Sequence, residues 1–128
     1  MEDFVTYELA VKLKEKGFSC EYPFAMYNEG GVFHELYTSV GNMQYYDYDY
    51  FDERDTIAPT ILQVLVWLRK EKDIYITIFI DDDSDYPVTY EIYKNTECVC
   101  SHKGEYFTLG DWSKCELKAI EYTLDNLI

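Results

Sequence analysis

The chain has 128 residues and a formal net charge of −14, with 25 Asp and Glu against 11 Lys and Arg. Its length fits one domain with a hydrophobic core, and an apolar content of 48% excludes a fully disordered chain. A surface this acidic disfavours direct contact with nucleic acid or with anionic membranes. The sequence also lacks an apolar run of the ~18 residues that would cross a bilayer.

The first predicted element is a helix over about residues 7–16. Thr6 precedes it as a candidate N-cap. Gly17 follows it, where a left-handed residue often ends a helix, and Phe18 can then fold back onto Leu13. Residues 1–5 are acidic and do not resemble a secretory signal, so we expect a cytoplasmic protein with reduced thiols.

Two strands are predicted next, over residues 22–27 and 32–40, with a hairpin turn at residues 28–31. Residues 44–53 read QYYDYDYFDE and have no usable periodicity; we call them the tyrosine-acid tract. We therefore predict a long loop there, and such loops in compact domains are often functional or disordered.

The second helix is predicted from Thr60 and Gln63, which form a capping-box pattern before a broad apolar helix. A strand follows at residues 74–80, whose two faces are both apolar or aromatic. Residues 81–85 are predicted as a turn, and residues 86–94 as the returning strand.

Shorter strands are predicted at residues 97–101 and 105–109, before a third helix that starts with a capping box at Ser113 and Glu116. The predicted order is therefore α-β-β-α-β-β-β-β-α. This pattern indicates an α+β fold in which residues 1–128 form a single domain, with an antiparallel sheet packed against three helices.

The helix sequences resemble a group of small uncharacterised proteins of gut Bacteroidetes and of their phages and prophages. The resemblance is carried by VTYE at residues 5–8, LKEKGF at residues 13–18, APT at residues 58–60 and WLRKE at residues 67–71. It spans most of the chain, although the tyrosine-acid tract is not part of the pattern. The resemblance implies a cytosolic setting and a connection with phage or mobile elements, and it brings neither catalytic residues nor a cofactor.

Two patterns suggest metal chemistry. On a regular strand Cys98, Cys100 and His102 would point the same way, and Cys115 or Cys20 could add a fourth zinc ligand, although a second Cys pair is missing. Asp81, Asp83 and Asp85 match the start of a calcium loop, but Tyr86 stands where its glycine is required and Ile92 where its closing glutamate is required. We therefore predict neither a metal site nor a cofactor.

The sequence gives little support to catalysis. His34 and His102 are its only histidines, and neither a nucleophile elbow nor a phosphate-binding loop occurs. Because carboxylates are abundant, a metal-dependent hydrolase remains the last of the alternatives.

The leading hypothesis is a non-catalytic protein-interaction protein of phage or mobile-element type, with a basic protein partner and with homodimer formation left open. Tyrosines supply contact area at low entropic cost, and carboxylates select a basic partner. The alternative is an acidic DNA mimic that inhibits a host nucleic-acid-binding protein. The candidate binding residues are Tyr45, Tyr46, Asp47, Tyr48, Asp49, Tyr50, Asp81, Asp82, Asp83 and Asp85.

Overall fold

A computed structural model describes residues 3–20, 23–35, 37–40, 43–46, 54–81, 85–101 and 105–128, and of residues 37–40 and 43–46 it describes the backbone. The described part of the chain contains three α-helices and antiparallel sheets, which confirms the predicted α+β class. The chain divides into two compact units, an N-terminal unit, Met1–Gln63, and a C-terminal unit, Val64–Ile128. That residues 1–128 form a single domain stays a prediction.

The N-terminal unit combines one helix with short strands. These are α1 (Tyr7–Glu15), β1 (Ala25–Tyr27), β2 (Phe33–Glu35), β3 (Tyr37–Val40), β4 (Met43–Tyr46) and β5 (Thr56–Ile57). Antiparallel pairing gives one sheet in the order β2-β1-β5 and a separate β3-β4 hairpin. The predicted hairpin around residues 28–31 is confirmed, because β1 pairs with β2 across that turn.

Both ends of α1 are capped as predicted. The Thr6 side chain accepts a hydrogen bond from the Leu9 amide at 3.3 Å. At the other end Gly17 has φ +86°, which a residue without Cβ adopts easily. The Phe18 amide then donates to the Leu13 carbonyl at 2.9 Å. This Schellman-type closure brings Phe18 into a buried position.

The long-loop prediction is wrong for the first part of the tyrosine-acid tract. Tyr45 and Tyr46 lie in β4, where Tyr46 pairs with Tyr37 and Tyr45 with Thr38. The register joins Val40 to Met43 through two residues with the sequence Gly-Asn, which is a hairpin signal. The predicted strand at residues 32–40 is correspondingly divided into β2 and β3.

The second helix, α2 (Ile61–Lys72), starts at the predicted capping box. The Thr60 amide donates to Gln63 Oε1 at 2.9 Å, and the Gln63 amide donates to Thr60 Oγ1 at 3.1 Å. Both of these amides belong to the group that a helix start leaves without a backbone partner, so the reciprocal pair fixes where α2 begins. The boundary between the two units falls inside this helix, after Gln63.

The C-terminal unit is a three-stranded antiparallel sheet with a helix on one face. Besides most of α2, its elements are β6 (Ile74–Ile80), β7 (Val88–Lys94), β8 (Glu97–Ser101) and α3 (Trp112–Asn126), with the strands in the order β6-β7-β8. The α3 helix contacts β6 and β7. The core of this unit is buried and largely apolar, and it includes Ile74, Val88, Tyr90, Ile92, Cys115, Ala119, Ile120 and Leu124.

Two predictions fail just before α3. The predicted strand at residues 105–109 is reduced to one bridge, between Phe107 and Val88. A 3₁₀ turn at Leu109–Asp111 then leads directly into α3, which begins at Trp112 with Asp111 in the N-cap position. The predicted helix start at Trp112 is confirmed, whereas the predicted cap is wrong, because Asp111 rather than Ser113 occupies the N-cap position.

Thr96 gives the first testable expectation. Asn95 and Thr96 connect β7 to β8 with φ values of +52° and +69°, as a type I′ turn requires. A β-branched residue is strained in that region. We expect Thr96→Gly to raise the free energy of unfolding by about 1 kcal/mol, as measured by urea denaturation.

The control places the same substitution in a regular strand. Thr77 is exposed in the middle of β6, where glycine only weakens the strand. Thr77→Gly should therefore lower stability. A loss of stability in both variants would contradict the proposed strain at Thr96.

Candidate interaction surface

The structure describes part of the predicted binding residues. Tyr45 and Tyr46 belong to β4 in the N-terminal unit, whereas Asp81 and Asp85 are exposed in the C-terminal unit. The others lie outside the described residues: Asp47, Tyr48, Asp49, Tyr50, Asp82 and Asp83. The row of carboxylates that a DNA mimic requires therefore stays a prediction.

Asp81 and Asp85 lie where the β6–β7 hairpin reverses direction. The Asp81 amide donates to the Pro87 carbonyl at 2.8 Å, which extends the pairing of Ile80 with Val88 by one step. This bond closes the chain reversal. It holds Asp81 and Asp85 at the same end of the sheet.

Two exposed tyrosines accompany these carboxylates. Tyr86 is 59% exposed and follows Asp85 directly. Tyr106 is 36% exposed, and its hydroxyl donates to Asp81 Oδ2 at 2.9 Å. We call the group Asp81, Asp85, Tyr86 and Tyr106 the hairpin-end surface.

The position of Tyr106 results from a backbone bridge. Val88 and Phe107 exchange amide–carbonyl hydrogen bonds of 3.0 and 2.8 Å, and the Thr89 hydroxyl donates to the Glu105 carbonyl at 3.0 Å. These bonds hold Glu105 and Phe107 alongside β7, so Tyr106 between them reaches the Asp81 carboxylate. The sequence could have indicated Tyr86, since it adjoins the acidic run. Tyr106 carries no such signal, because it lies 25 residues beyond Asp81.

The predicted cluster of thiols is not formed as the alternating pattern suggested. Cys98 pairs with Tyr93 and Cys100 pairs with Ile92, with a bulge between these steps. The extra residue, Val99, reverses the alternation, so the two thiols point to opposite faces of the sheet. Cys98 accordingly interacts with the Tyr93 hydroxyl, and Cys100 with Tyr122 of α3. The prediction that both thiols share a face is wrong, and His102 lies outside the described residues.

Burial controls the chemistry of two thiols between the sheet and α3, Cys100 of β8 and Cys115 of α3. It raises the pKa of the Cys100 thiol, and it raises that of Cys115 to about 12, with Glu116 and Glu105 adding to the shift in Cys115. Burial also raises the pKa of Tyr90, which lies close to both thiols. A buried neutral thiol behaves as a small apolar side chain rather than as a nucleophile, so Cys115 belongs to the core, and Cys100 lies half-buried at its margin.

The residues that the structure describes do not bring together three or more His, Cys, Asp or Glu side chains, as a metal site would need. The suggested calcium loop includes Asp83, which lies outside those residues.

A small cavity in the N-terminal unit lies between α1 and β5. Its volume is about 170 Å³, and it is lined by Ala10, Lys14, Phe18, Asp55, Thr56 and Ile57. Lys14 Nζ donates to the Asp55 main-chain carbonyl at 2.9 Å. Ligand pockets usually measure about 300–1,000 Å³, so this cavity is a weaker candidate for binding than the hairpin-end surface.

Neither a family model, nor a curated protein, nor a solved structure matches the chain. None of the described helices has the length and apolar character needed to span a membrane.

Proposed function

We propose that this chain is a non-catalytic protein-interaction protein of the cytoplasm, which binds a basic segment of a protein partner at the hairpin-end surface. The observation that carries the proposal is the hydrogen bond from Tyr106 to Asp81, because it combines an exposed aromatic ring with an oriented carboxylate. The resemblance to the Bacteroidetes and phage group adds a phage or mobile-element setting to the proposal.

The chemistry of the surface fits a basic partner. Tyr86 and Tyr106 offer flat rings with hydrogen-bonding tips, which lose few rotamers when they bind. Asp81 and Asp85 supply negative charge in a chain whose net charge is −14. Lysines of a partner would therefore be attracted over a distance, and the rings would provide the contact that holds it.

The contributions of ring and charge can be separated by mutation. We expect a short fluorescent peptide of alternating lysine and valine to bind with a Kd on the order of 10–100 μM at low salt. The double change Tyr86→Ser and Tyr106→Ser should weaken this binding about tenfold or more, as two partly buried aromatic contacts would. Asp81→Asn with Asp85→Asn should reduce the dependence of log Kd on salt. Fluorescence anisotropy measures both effects.

Tyr75→Ser is the matched control, because Tyr75 is 45% exposed in the same sheet but away from the hairpin end. The change should alter Kd less than about twofold. A peptide with glutamate in place of lysine should not bind. Equal losses from Tyr75→Ser and from the double variant would contradict the assignment of this surface.

The alternative binding site for the partner consists of four tyrosines of the tyrosine-acid tract, Tyr45, Tyr46, Tyr48 and Tyr50. Their joint change to serine tests the prediction that this tract binds the partner. If that variant loses the basic peptide while the Tyr86 and Tyr106 variant retains it, binding belongs to the N-terminal unit instead.

A further inference from the structure

The β6 strand is the outer strand of its sheet, and it carries unusually little protection for that position. In the described order β6-β7-β8, its hydrogen-bonded neighbour is β7. Its seven residues, IYITIFI, contain neither a charge nor a proline, which are the common means by which proteins prevent an edge strand from pairing with other chains.

The bonds at its two ends show which backbone groups point away from β7. Asp73 and Asp81 flank β6 on its two sides. The Asp81 amide donates to the Pro87 carbonyl, and the Asp73 carbonyl accepts from the Asn95 amide, so the backbone groups of both residues point toward β7. Bonding direction alternates along a strand. The outward-facing N–H and C=O groups are therefore those of Ile74, Ile76, Ile78 and Ile80.

The side chains of β6 divide between two environments. The register places Ile76 beside Ile92 and Ile78 beside Tyr90, on the face that contains the buried core under α3. Ile80 belongs to the same face, yet it is 59% exposed. Tyr75 and Thr77 lie on the opposite face and are also exposed.

We propose that β6 pairs antiparallel with β6 of a second copy of this chain, around a two-fold axis at Thr77. In this register Ile74 lies opposite Ile80 of the other copy, and Ile76 opposite Ile78. Every outward-facing N–H and C=O then finds a partner. If the register were shifted by one residue, residues whose N–H and C=O groups point outward would lie opposite residues whose groups point toward β7. A shift by two residues would leave the backbone groups of one isoleucine without a partner within β6.

The sequence of β6 is self-complementary in this register. Tyr75 lies opposite Phe79 of the other copy and Thr77 opposite Thr77, and these are the closely spaced, non-hydrogen-bonded pairs. Aromatic pairs and Thr–Thr pairs are both favourable across strands. The axis stands perpendicular to the sheet, so the isoleucines of both copies continue one apolar face.

Two features limit the strength of the dimer. An edge of seven residues is about 23 Å long and about 10 Å deep, which covers about 230 Å² per copy, well below the ~800 Å² of a standard interface. In addition, Asp73 lies opposite Asp81 of the other copy at each end, and these like charges repel. The dimer should therefore be weak, and it should tighten as salt screens this repulsion.

Sedimentation equilibrium of the full chain tests the proposal. We expect the average mass to rise toward that of a dimer between about 10 μM and 1 mM protein, and to rise further at high salt. Thr77→Lys places like charges opposite each other at the axis and should weaken the dimer at least about tenfold. Ser101→Lys is the matched control, because Thr77 and Ser101 both flank Glu91, and only Thr77 lies on the β6 edge.

Asp73→Asn provides a test that misfolding cannot imitate, since it should strengthen association at low salt. Asparagine also tolerates the φ of +54° at this position. A wild-type chain that remains monomeric at all concentrations and salts would overturn the proposal, as would equal loss in the Thr77→Lys and Ser101→Lys variants. Neither lysine alters the hairpin-end surface, so this outcome is independent of peptide binding.

Discussion

Replacing Leu68 by alanine is expected to lower the free energy of unfolding by about 2–5 kcal/mol. Leu68 is 0% exposed in α2, so the change removes apolar contacts and leaves a cavity in a packed interior. Chemical denaturation monitored by circular dichroism measures the effect.

The same helix supplies the control. Leu62 is 65% exposed, and Leu62→Ala changes helix propensity in the same way as Leu68→Ala. We expect it to alter stability by no more than about 0.5 kcal/mol. Similar losses in the two variants would show that the burial of α2 differs from the structure described above.

Alkaline pH is expected to destabilise the protein through Cys115. This thiol is 0% exposed, and burial raises its pKa from 9.0 to about 12. The unfolded chain therefore releases this proton near pH 9 while the native protein retains it. Its contribution to stability is fully present below pH 9 and is lost as pH rises toward 12, by up to about 1.4 kcal/mol per pH unit.

The variant Cys115→Ala isolates this contribution. Urea unfolding under reducing conditions, repeated between about pH 8 and pH 11, should show a smaller loss of stability with pH in the variant than in the wild type. The raised pKa of Tyr90 acts in the same direction, so the variant should retain part of the slope at the upper end. An unchanged slope would mean that the Cys115 thiol is not shielded from water in solution.

The parts of the fold that follow from local rules could be predicted from the sequence. The starts of α1 and α2 depend on hydrogen bonds between residues three apart, at Thr6 and at Thr60 with Gln63. The hairpin between β6 and β7 depends on two runs rich in β-branched and aromatic residues, which flank an acidic stretch of the sequence. Such signals are complete within a few residues, so they do not need knowledge of tertiary contacts.

The failures concern non-local bonding. The bulge at Val99 places the side chains of Cys98 and Cys100 on opposite faces of the sheet. The alternating sequence pattern of this strand does not predict such a bulge. Residues 105–109 have strand-like composition, yet they bond to β7 only around Val88, because β8 occupies the later part of that edge, at residues 91–94. Which strands pair with each other depends on the packing of the whole unit, so it does not follow from local patterns in a single sequence.

The candidate site shows the same division between local signals, which the sequence contains, and non-local contacts, which it does not. Asp81 and Asp85 were chosen from their local charge, and the structure places them at an exposed chain reversal. The aromatic half of the surface depends on Tyr106, which only the bridge at Val88 brings near. The tyrosine-acid tract stands out in the sequence because of its composition. Tyr86 and Tyr106 become candidates only because the fold places them beside Asp81 and Asp85.

Binding of a basic segment at the hairpin-end surface can be measured residue by residue in an NMR titration of the labelled protein with the lysine–valine peptide. We expect the largest amide shifts at Asp81, Asp85, Tyr86 and Tyr106. Glu97 and Ser101, two exposed residues at the ends of the far strand β8, should shift little. Shifts that are largest at β8, or spread evenly over the acidic residues, would contradict the claim and indicate unspecific attraction to the charge of the whole chain.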